Sequence, residues 1–379
     1  MRRNMDPRKD PTRRCLKVEA WPESDRRAWE TALRHVDILE PCGFASTWKP
    51  LTRYTVERSY GRWLTWLACN QLLDVALTPA RRASRDNVAR YIQDLQAVNA
   101  SYTVLSRVRN LCNALQAMAP GEDWEWLRHV IRRRRRTAVS SKNKRAMIIA
   151  SEELFAFGRE LMDDADGPSD GTPLAKAGRF RDGLMISMLA SRPIRRCNFA
   201  SIEIGRHLVR QGPEYWLRFA AAETKTNSPI EIPVPTVLTP YIERYLAYYR
   251  PFLGRRAARG NWVCAQPRAS GMTLWISSWC SAMSEGGIYC RIMKATKTRF
   301  GHAINPHLFR DCAATSIAIE DPAHVYVTQS ILGHTSIKTS ERHYNHAQSL
   351  EATRRYQKRI LELRRQGRDR PVNARSAEG

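Results

Sequence analysis

The sequence predicts a mainly α-helical protein of two domains, the second carrying a small antiparallel β-sheet, with a basic linker between them. Three observations predict this. Apolar residues recur at helical spacing through much of residues 21–131. A run at 132–145 then carries eight positive charges and no acid. Beyond it, two short segments alternate like half-buried strands between further helical stretches.

Size and charge bound the function. A chain of 379 residues is long enough for two or three domains, each with its own core. Its 62 Lys and Arg against 37 Asp and Glu give a formal net charge of +25, which draws a polyanion and speeds encounter with it. Nucleic acid is the expected partner, although ribosomal and membrane-surface proteins share such a balance. No stretch approaches the roughly 20 apolar residues that span a bilayer. The opening Met1-Arg-Arg-Asn-Met-Asp-Pro lacks the apolar core of a secretory signal. A cytoplasmic protein without a membrane partner is the expectation. Nine cysteines stand singly, which argues against a disulfide framework or a zinc site and for reduced thiols packed as small hydrophobes.

The elements follow in order. Residues 1–20 are basic and polar and are expected to be disordered. A short helix is expected over 22–36. Val56, Tyr60, Trp63 and Leu67 recur at steps of four, three and four, painting one face of a second helix. Ser84 is placed to cap a third, carrying Val88, Tyr91, Ile92 and Leu95. Ser101 starts a fourth, with Val104, Val108, Leu111, Leu115 and Met118 inward. Trp63 and Trp66 read as core, and Trp124 and Trp126 as packing for the domain's last helix. Together these make a helical domain over 21–131.

The linker is expected over 132–150. Five adjacent arginines repel one another, so they end a helix in solvent or lie along phosphates. Arg132, Arg133, Arg134, Arg135, Arg136, Lys142, Lys144 and Arg145 are therefore candidates for contact with a nucleic-acid backbone.

The second domain is expected over 151–348. Ser151 followed by Glu152 and Glu153 reads as an N-cap with acids on the positive helix end. Residues 163–172 read as a polar loop. Leu184, Met185, Met188 and Leu189 mark a buried helix running into Ser191-Arg-Pro-Ile-Arg-Arg196. Tyr215-Trp-Leu-Arg-Phe219 and Ile230-Glu-Ile-Pro-Val234 read as strands around a turn at Thr226-Asn-Ser-Pro. Helices are expected again over 239–253 and 287–298. A last helix is expected over 349–365, and 366–379 is expected to be disordered.

The chemistry is concentrated late in the chain. His307 and Arg310 sit three apart, so a helix projects them from one face, and Asn305-Pro306 marks that helix's start. Leu332-Gly-His334 follows 24 residues after Arg310, and Tyr344 stands ten beyond His334, trailed by Asn345-His346. An HxxR tetrad alone is a weak signal, and each of these residues has a bland structural reading by itself. The ordered combination is specific. His324 and Tyr326 match nothing in it and read as structural.

This combination resembles the C-terminal signature of tyrosine recombinases, the lambda-integrase-like (phage integrase) family of DNA strand-exchange enzymes. The resemblance covers residues from about 52 to 346, with specific motifs only in the catalytic half. It implies a further arginine after the buried helix, for which Arg195 is the best match and Arg192 and Arg196 compete. Pro193 stands where glycine is usual, and Asn198 where an acid often sits. It also implies a lysine in the turn between two strands, which nominates Lys225 in Glu223-Thr-Lys-Thr-Asn227.

The implied mechanism needs neither metal nor cofactor. Two arginines would meet the non-bridging oxygens of the phosphodiester under attack. Tyr344 would be the nucleophile, His307 its general base, His334 a donor to the scissile phosphate and Lys225 the acid for the leaving 5′-oxygen. The implied architecture is an all-α core-binding domain and an α+β catalytic domain closing on duplex DNA as a C-shaped clamp. The implied function is site-specific recombination through a 3′-phosphotyrosyl intermediate, serving integration, excision or transposition of a mobile element. A homotetramer on synapsed double-stranded DNA and accessory DNA-bending or directionality proteins are the implied partners. The helix over 349–365 packs either on its own chain or on a neighbouring protomer. Two alternatives remain at this point: type IB topoisomerase-like relaxation, and a catalytically silent DNA-binding regulator of the same fold.

Overall fold

The structure, a computed structural model, describes residues 14–34, 43–139, 145–168, 171–258, 261–264 and 272–320. The chain divides into two compact units, 1–143 and 144–379.

The described helices of the first unit are α1 Glu23–Leu33, α2 Pro50–Cys69, α3 Pro79–Arg82, α4 Arg85–Val98, α5 Ser101–Met118 and α6 Glu125–Thr137. Pro50 and Pro79 occupy opening positions, where a missing N–H costs no helical bond. The Ser84 hydroxyl accepts from Asn87 N–H at 3.2 Å and caps α4. The apolar stripes meet as their spacing requires. Tyr60, Trp63, Leu64 and Leu67 of α2 are buried with Val88 and Tyr91 of α4 and Val108, Leu111 and Leu115 of α5. Trp63 stacks on Trp66 at 5.3 Å, and Trp124 is buried beside the half-buried Trp126.

Beneath α1 lies a feature that apolar spacing does not show. Asp25 and Arg82 form an ion pair whose side chains are both fully buried, and Tyr60 donates its hydroxyl to Asp25. Arg82 Nε also reaches the Leu77 carbonyl at 3.1 Å, so the buried guanidinium meets acceptors on two sides.

Two expectations for this unit are corrected. Residues 14–20 are ordered: Val18–Ala20 forms a 3-10 turn, and Leu16 N–H donates to Gly61 O at 3.2 Å. Gly61 permits that approach, since a Cβ there would stand 2.1 Å from Leu16 O. Residues 132–137, expected in the linker, instead complete α6, because Arg132 pairs back along the helix with Glu125 and Arg134 donates to Gln96 at 3.1 Å. Val36, at the end of the first expected helix, and Lys142 and Lys144 lie outside the described residues.

The second unit runs α7 Ser151–Asp166, α8 Pro173–Ser191, α9 Arg196–Ala200, β1 Leu208–Gln211, β2 Glu214–Phe219, β3 Ile230–Pro233, α10 Thr239–Arg244, a π-helical turn Tyr245–Tyr249, α11 Arg250–Leu253, β4 Arg255–Ala258, β5 Asn261–Cys264, α12 Glu285–Phe300 and α13 Pro306–Glu320. Helix α8 is the axis, with Leu184, Met185, Ile186 and Leu189 fully buried and α7, α11, α12 and α13 packed against it. Its closest neighbour is α7, where Gly158 meets Gly183; a Cβ on Gly183 would lie 2.5 Å from Gly158 O.

Strands β1, β2 and β3 form an antiparallel sheet in that order, with Gln211 opposite Glu214 and Phe219 opposite Ile230. The mainly α, partly antiparallel β class expected from sequence is therefore the class found. Strand β1 was not anticipated: it is four residues long and joins β2 through Gly212-Pro213, where Gly212 takes φ +59°.

Three local expectations also change. Ser151 does not cap α7; Ala150 holds that position, and Ser151 N–H donates to the Ser316 hydroxyl of α13 at 3.0 Å. Helix α7 continues to Asp166, four residues into the expected polar loop, because Met162 and Ala165 stay in the core. The helix expected over 239–253 widens at Tyr245–Tyr249 just ahead of Pro251, whose ring lacks a donor and crowds the preceding turn.

Candidate active site

Four of the six expected site residues are described: Arg195, Lys225, His307 and Arg310. His334 and Tyr344 lie outside the described residues, as do His324, Tyr326 and the helix and tail expected after residue 349.

Helix α13 carries two of the four. Asn305 Oδ1 accepts from the N–H groups of His307 and Leu308, both at 3.0 Å, and Pro306 holds the first helical position. This cap fixes the first turn. His307 is exposed there, while Leu308 and Phe309 turn into the core and Arg310 is buried. The Arg310 guanidinium donates through Nη1 to the carbonyl of Pro193 at 2.6 Å. Proline lacks a backbone donor but keeps its acceptor, so its place in this segment leaves that bond intact.

Arg195 is the N-cap residue of α9, two residues past that carbonyl. Burial pushes the pKa of Arg310 down to about 10, with the positive charge of Arg195 acting in the same direction and Asp311 against it. The charge of Arg195, at the N-cap of α9, thus acts on Arg310 of α13. Arg195 Nη1 also lies 3.5 Å from the Thr226 hydroxyl, beside exposed Lys225 in the β2–β3 connection.

The neighbouring arginines face other partners. Arg192 donates to Pro233 O at 2.7 Å and to Ser191 O at 2.8 Å, and burial lowers its pKa. Arg196 is exposed, pairs with Glu285 at 2.9 Å and lies over the Tyr289 ring. Of the three, Arg195 is therefore the one whose charge acts on Arg310 and whose side chain reaches the Lys225 connection.

Further residues hold this geometry without a signal in residue spacing. Buried Asn198 donates from Nδ2 to Glu223 O at 3.1 Å, tying α9 to the start of the connection. Trp275 Nε1 donates to Phe199 O at 2.8 Å and anchors the other end of α9. Thr224 Oγ1 donates to Ser228 O at 2.8 Å and accepts from Ser228 N–H at 3.0 Å, closing the connection, and Asn227 takes φ +55° within it. Among the described residues no cluster of His, Cys, Asp or Glu is arranged to hold a metal ion.

In the basic run, Arg133, Arg135 and Arg136 are exposed along the last turns of α6, while Arg134 is half-buried. Arg145 opens a 3-10 turn ahead of α7.

No protein-family model and no curated protein matches the chain. Solved structures do. The XerH site-specific recombinase bound to palindromic difH substrate in a post-cleavage complex is similar with a TM-score of 0.52 at 13% identity, over 80% of this chain and 79% of that one. The XerH pre-cleavage complex with difH substrate gives a TM-score of 0.52 at 14% identity over the same shares. Identities this low speak to fold alone, and on that footing the chain has the tyrosine recombinase fold.

Proposed function

We propose that this protein is a site-specific DNA recombinase that cleaves and rejoins duplex DNA through a 3′-phosphotyrosyl intermediate. The observation that carries this reading is the arginine set: buried Arg310 donates to Pro193 O, two residues before Arg195, and Arg195 reaches Thr226 beside Lys225. Two neighbouring guanidiniums suit an anion, and a phosphodiester gains charge on its non-bridging oxygens during attack. The fold likeness to a recombinase bound to DNA supports the same substrate class.

In the proposed reaction Tyr344 attacks phosphorus as His307 takes the phenolic proton. The P–O5′ bond breaks, and Lys225 delivers a proton to the leaving 5′-oxygen. Arg195, Arg310 and His334 bind the non-bridging oxygens. The phosphotyrosyl ester conserves the bond, so a second 5′-hydroxyl attacks it without ATP or metal. Arg133, Arg135 and Arg136, with Lys142, Lys144 and Arg145, are proposed to lie along the DNA backbone. Assembly as a tetramer on two sites and service to a mobile element belong to the same proposal. The basic flanks of the chain support the latter.

The test is covalent capture. The full chain is incubated in EDTA with a randomised library of nicked duplexes, and DNA retained after SDS denaturation is recovered and sequenced. Wild type should enrich one site, with no capture by Tyr344→Phe. Capture that survives this substitution, or no capture by wild type, overturns the reading.

A further inference from the structure

The connection that carries Lys225 is braced from beneath by two residues, His207 and Glu223, that the reaction itself does not require. His207 lies in the turn before β1, is 3% exposed, and stacks on Phe219 with ring centroids 4.7 Å apart and planes 18° from parallel. Its backbone is fixed from both sides: His207 N–H donates to Glu203 O at 2.9 Å, and Arg218 N–H donates to His207 O at 2.8 Å. The imidazole therefore sits where β2 ends.

The hydrogen bonds assign the tautomer. Glu203 N–H donates to Nδ1 at 3.0 Å, so that nitrogen presents a lone pair and the neutral ring carries its proton on Nε2. Nε2 lies 3.2 Å from Glu223 Oε1 and donates to it. The other carboxylate oxygen, Oε2, accepts from Ala220 N–H at 2.9 Å. Ala220 directly follows β2, so Glu223 grips the strand end and the imidazole together. The backbone bond from Ala220, then the side-chain bond from the His207 imidazole, hold the Glu223 carboxyl below its ordinary range. Arg206 adds an exposed ion pair on the outer side.

Glu223 is also the residue whose carbonyl receives Asn198 at 3.1 Å, and Arg195 Nη1 meets Thr226 three residues later. Lys225 lies between those two ties to α9. A side chain as long as lysine is otherwise free to sweep several ångströms, and misplacing a reacting group by about 1 Å costs on the order of 100-fold in rate.

We infer that His207 and Glu223 are positioning residues that set Lys225 against Arg195 so that its ammonium reaches the leaving oxygen. The inference rests on the strand-transfer reading above and deepens its proton-transfer step. In that step the P–O5′ bond breaks and the oxygen takes a proton from Lys225 Nζ.

Sulfur substitution isolates this step. With the bridging 5′-oxygen replaced by sulfur, the P–S bond breaks and the thiolate departs without a proton. Single-turnover cleavage of the captured site is measured with oxygen and sulfur substrates for wild type, Lys225→Ala, His207→Ala, His207→Gln and Glu223→Gln, each full length and checked for folding by circular dichroism. His207→Ala and Glu223→Gln should slow oxygen cleavage by about 10- to 100-fold and return to near the wild-type rate on sulfur, as Lys225→Ala does. His207→Gln, which keeps a donor at the ε position, should recover part of the loss on oxygen. Adding Glu223→Gln to Lys225→Ala should cost nothing more. Equal slowing on both substrates by folded variants would mean that the pair is only structural, and the inference fails. Absence of an adduct with wild type on either substrate instead sinks the strand-transfer reading beneath it.

Discussion

Arg310 donates to the carbonyl oxygen of Pro193 at 2.6 Å, across 117 residues of sequence, and this bond holds its guanidinium against the end of the chain segment that carries Arg195. Burial first, and then the positive charge of Arg195, weighs against the charged form of Arg310. Arg195→Ala should therefore raise the thermal midpoint of the DNA-free protein by an amount equivalent to about 1 kcal/mol at low salt, shrinking as salt screens the repulsion. The same variant should lose about 100- to 1000-fold in cleavage. Calorimetry beside single-turnover cleavage measures both, and a lowered midpoint would contradict the repulsion between the two cations.

The three arginines near Pro193 should separate cleanly. Arg192→Ala removes donors to Pro233 O and Ser191 O, leaves those carbonyls short of a partner, and should cost about 1–3 kcal/mol in urea unfolding. Arg196→Ala breaks an exposed pair with Glu285 and should cost less than about 1 kcal/mol. Of the three, only Arg195→Ala should slow adduct formation by about 100- to 1000-fold while leaving a folded protein.

Asn198 is predicted to be specific for its amide. Asn198→Asp would set a carboxylate oxygen against the Glu223 carbonyl in a buried site, and should cost about 1–3 kcal/mol and slow cleavage. An unchanged unfolding midpoint in that variant would show that the tie to α9 is not needed.

The first unit should depend on its buried ion pair. Asp25→Asn leaves Arg82 buried without its counter-charge and should destabilise that unit by about 3–5 kcal/mol. The readout is chemical unfolding of the full chain followed by tryptophan fluorescence, since Trp21, Trp29, Trp63 and Trp66 lie in that core.

If the end of α6 lies along DNA, Arg133, Arg135 and Arg136 neutralise phosphates there. Replacing all three with glutamine should weaken binding at every sequence and reduce the slope of log affinity against log salt by about 0.9 for each phosphate no longer neutralised. A slope that stays the same would remove this helix end from the interface.

Much of the fold was legible because helices and half-buried strands write their periods into sequence. The stripes of α2, α4 and α5 and the alternation of β2 are local patterns, and each predicted which side is buried. Asp25–Arg82 and Ser151–Ser316 are not local; a capping hydroxyl 165 residues away leaves no trace beside the helix it caps. Strand β1 was too short to show a period. At the candidate site, spacing placed His307 and Arg310 on one helix face, yet it could not tell that one is exposed and the other buried. Nor did spacing choose among Arg192, Arg195 and Arg196, whose roles follow from which carbonyls and carboxylates stand opposite them. His207 and Glu223 lay outside every motif because a tautomer is assigned by neighbours that only the folded chain supplies.

The bond from Ser151 N–H to the Ser316 hydroxyl also has a meaning for synthesis of the protein. A ribosome releases the start of α7 well before it has made Ser316, so that helix end waits for its acceptor until α13 emerges. The start of α7 is thus completed by the segment that bears His307 and Arg310. One helix made late in the chain therefore supplies both the donor to Pro193 O and the acceptor for the first turn of α7.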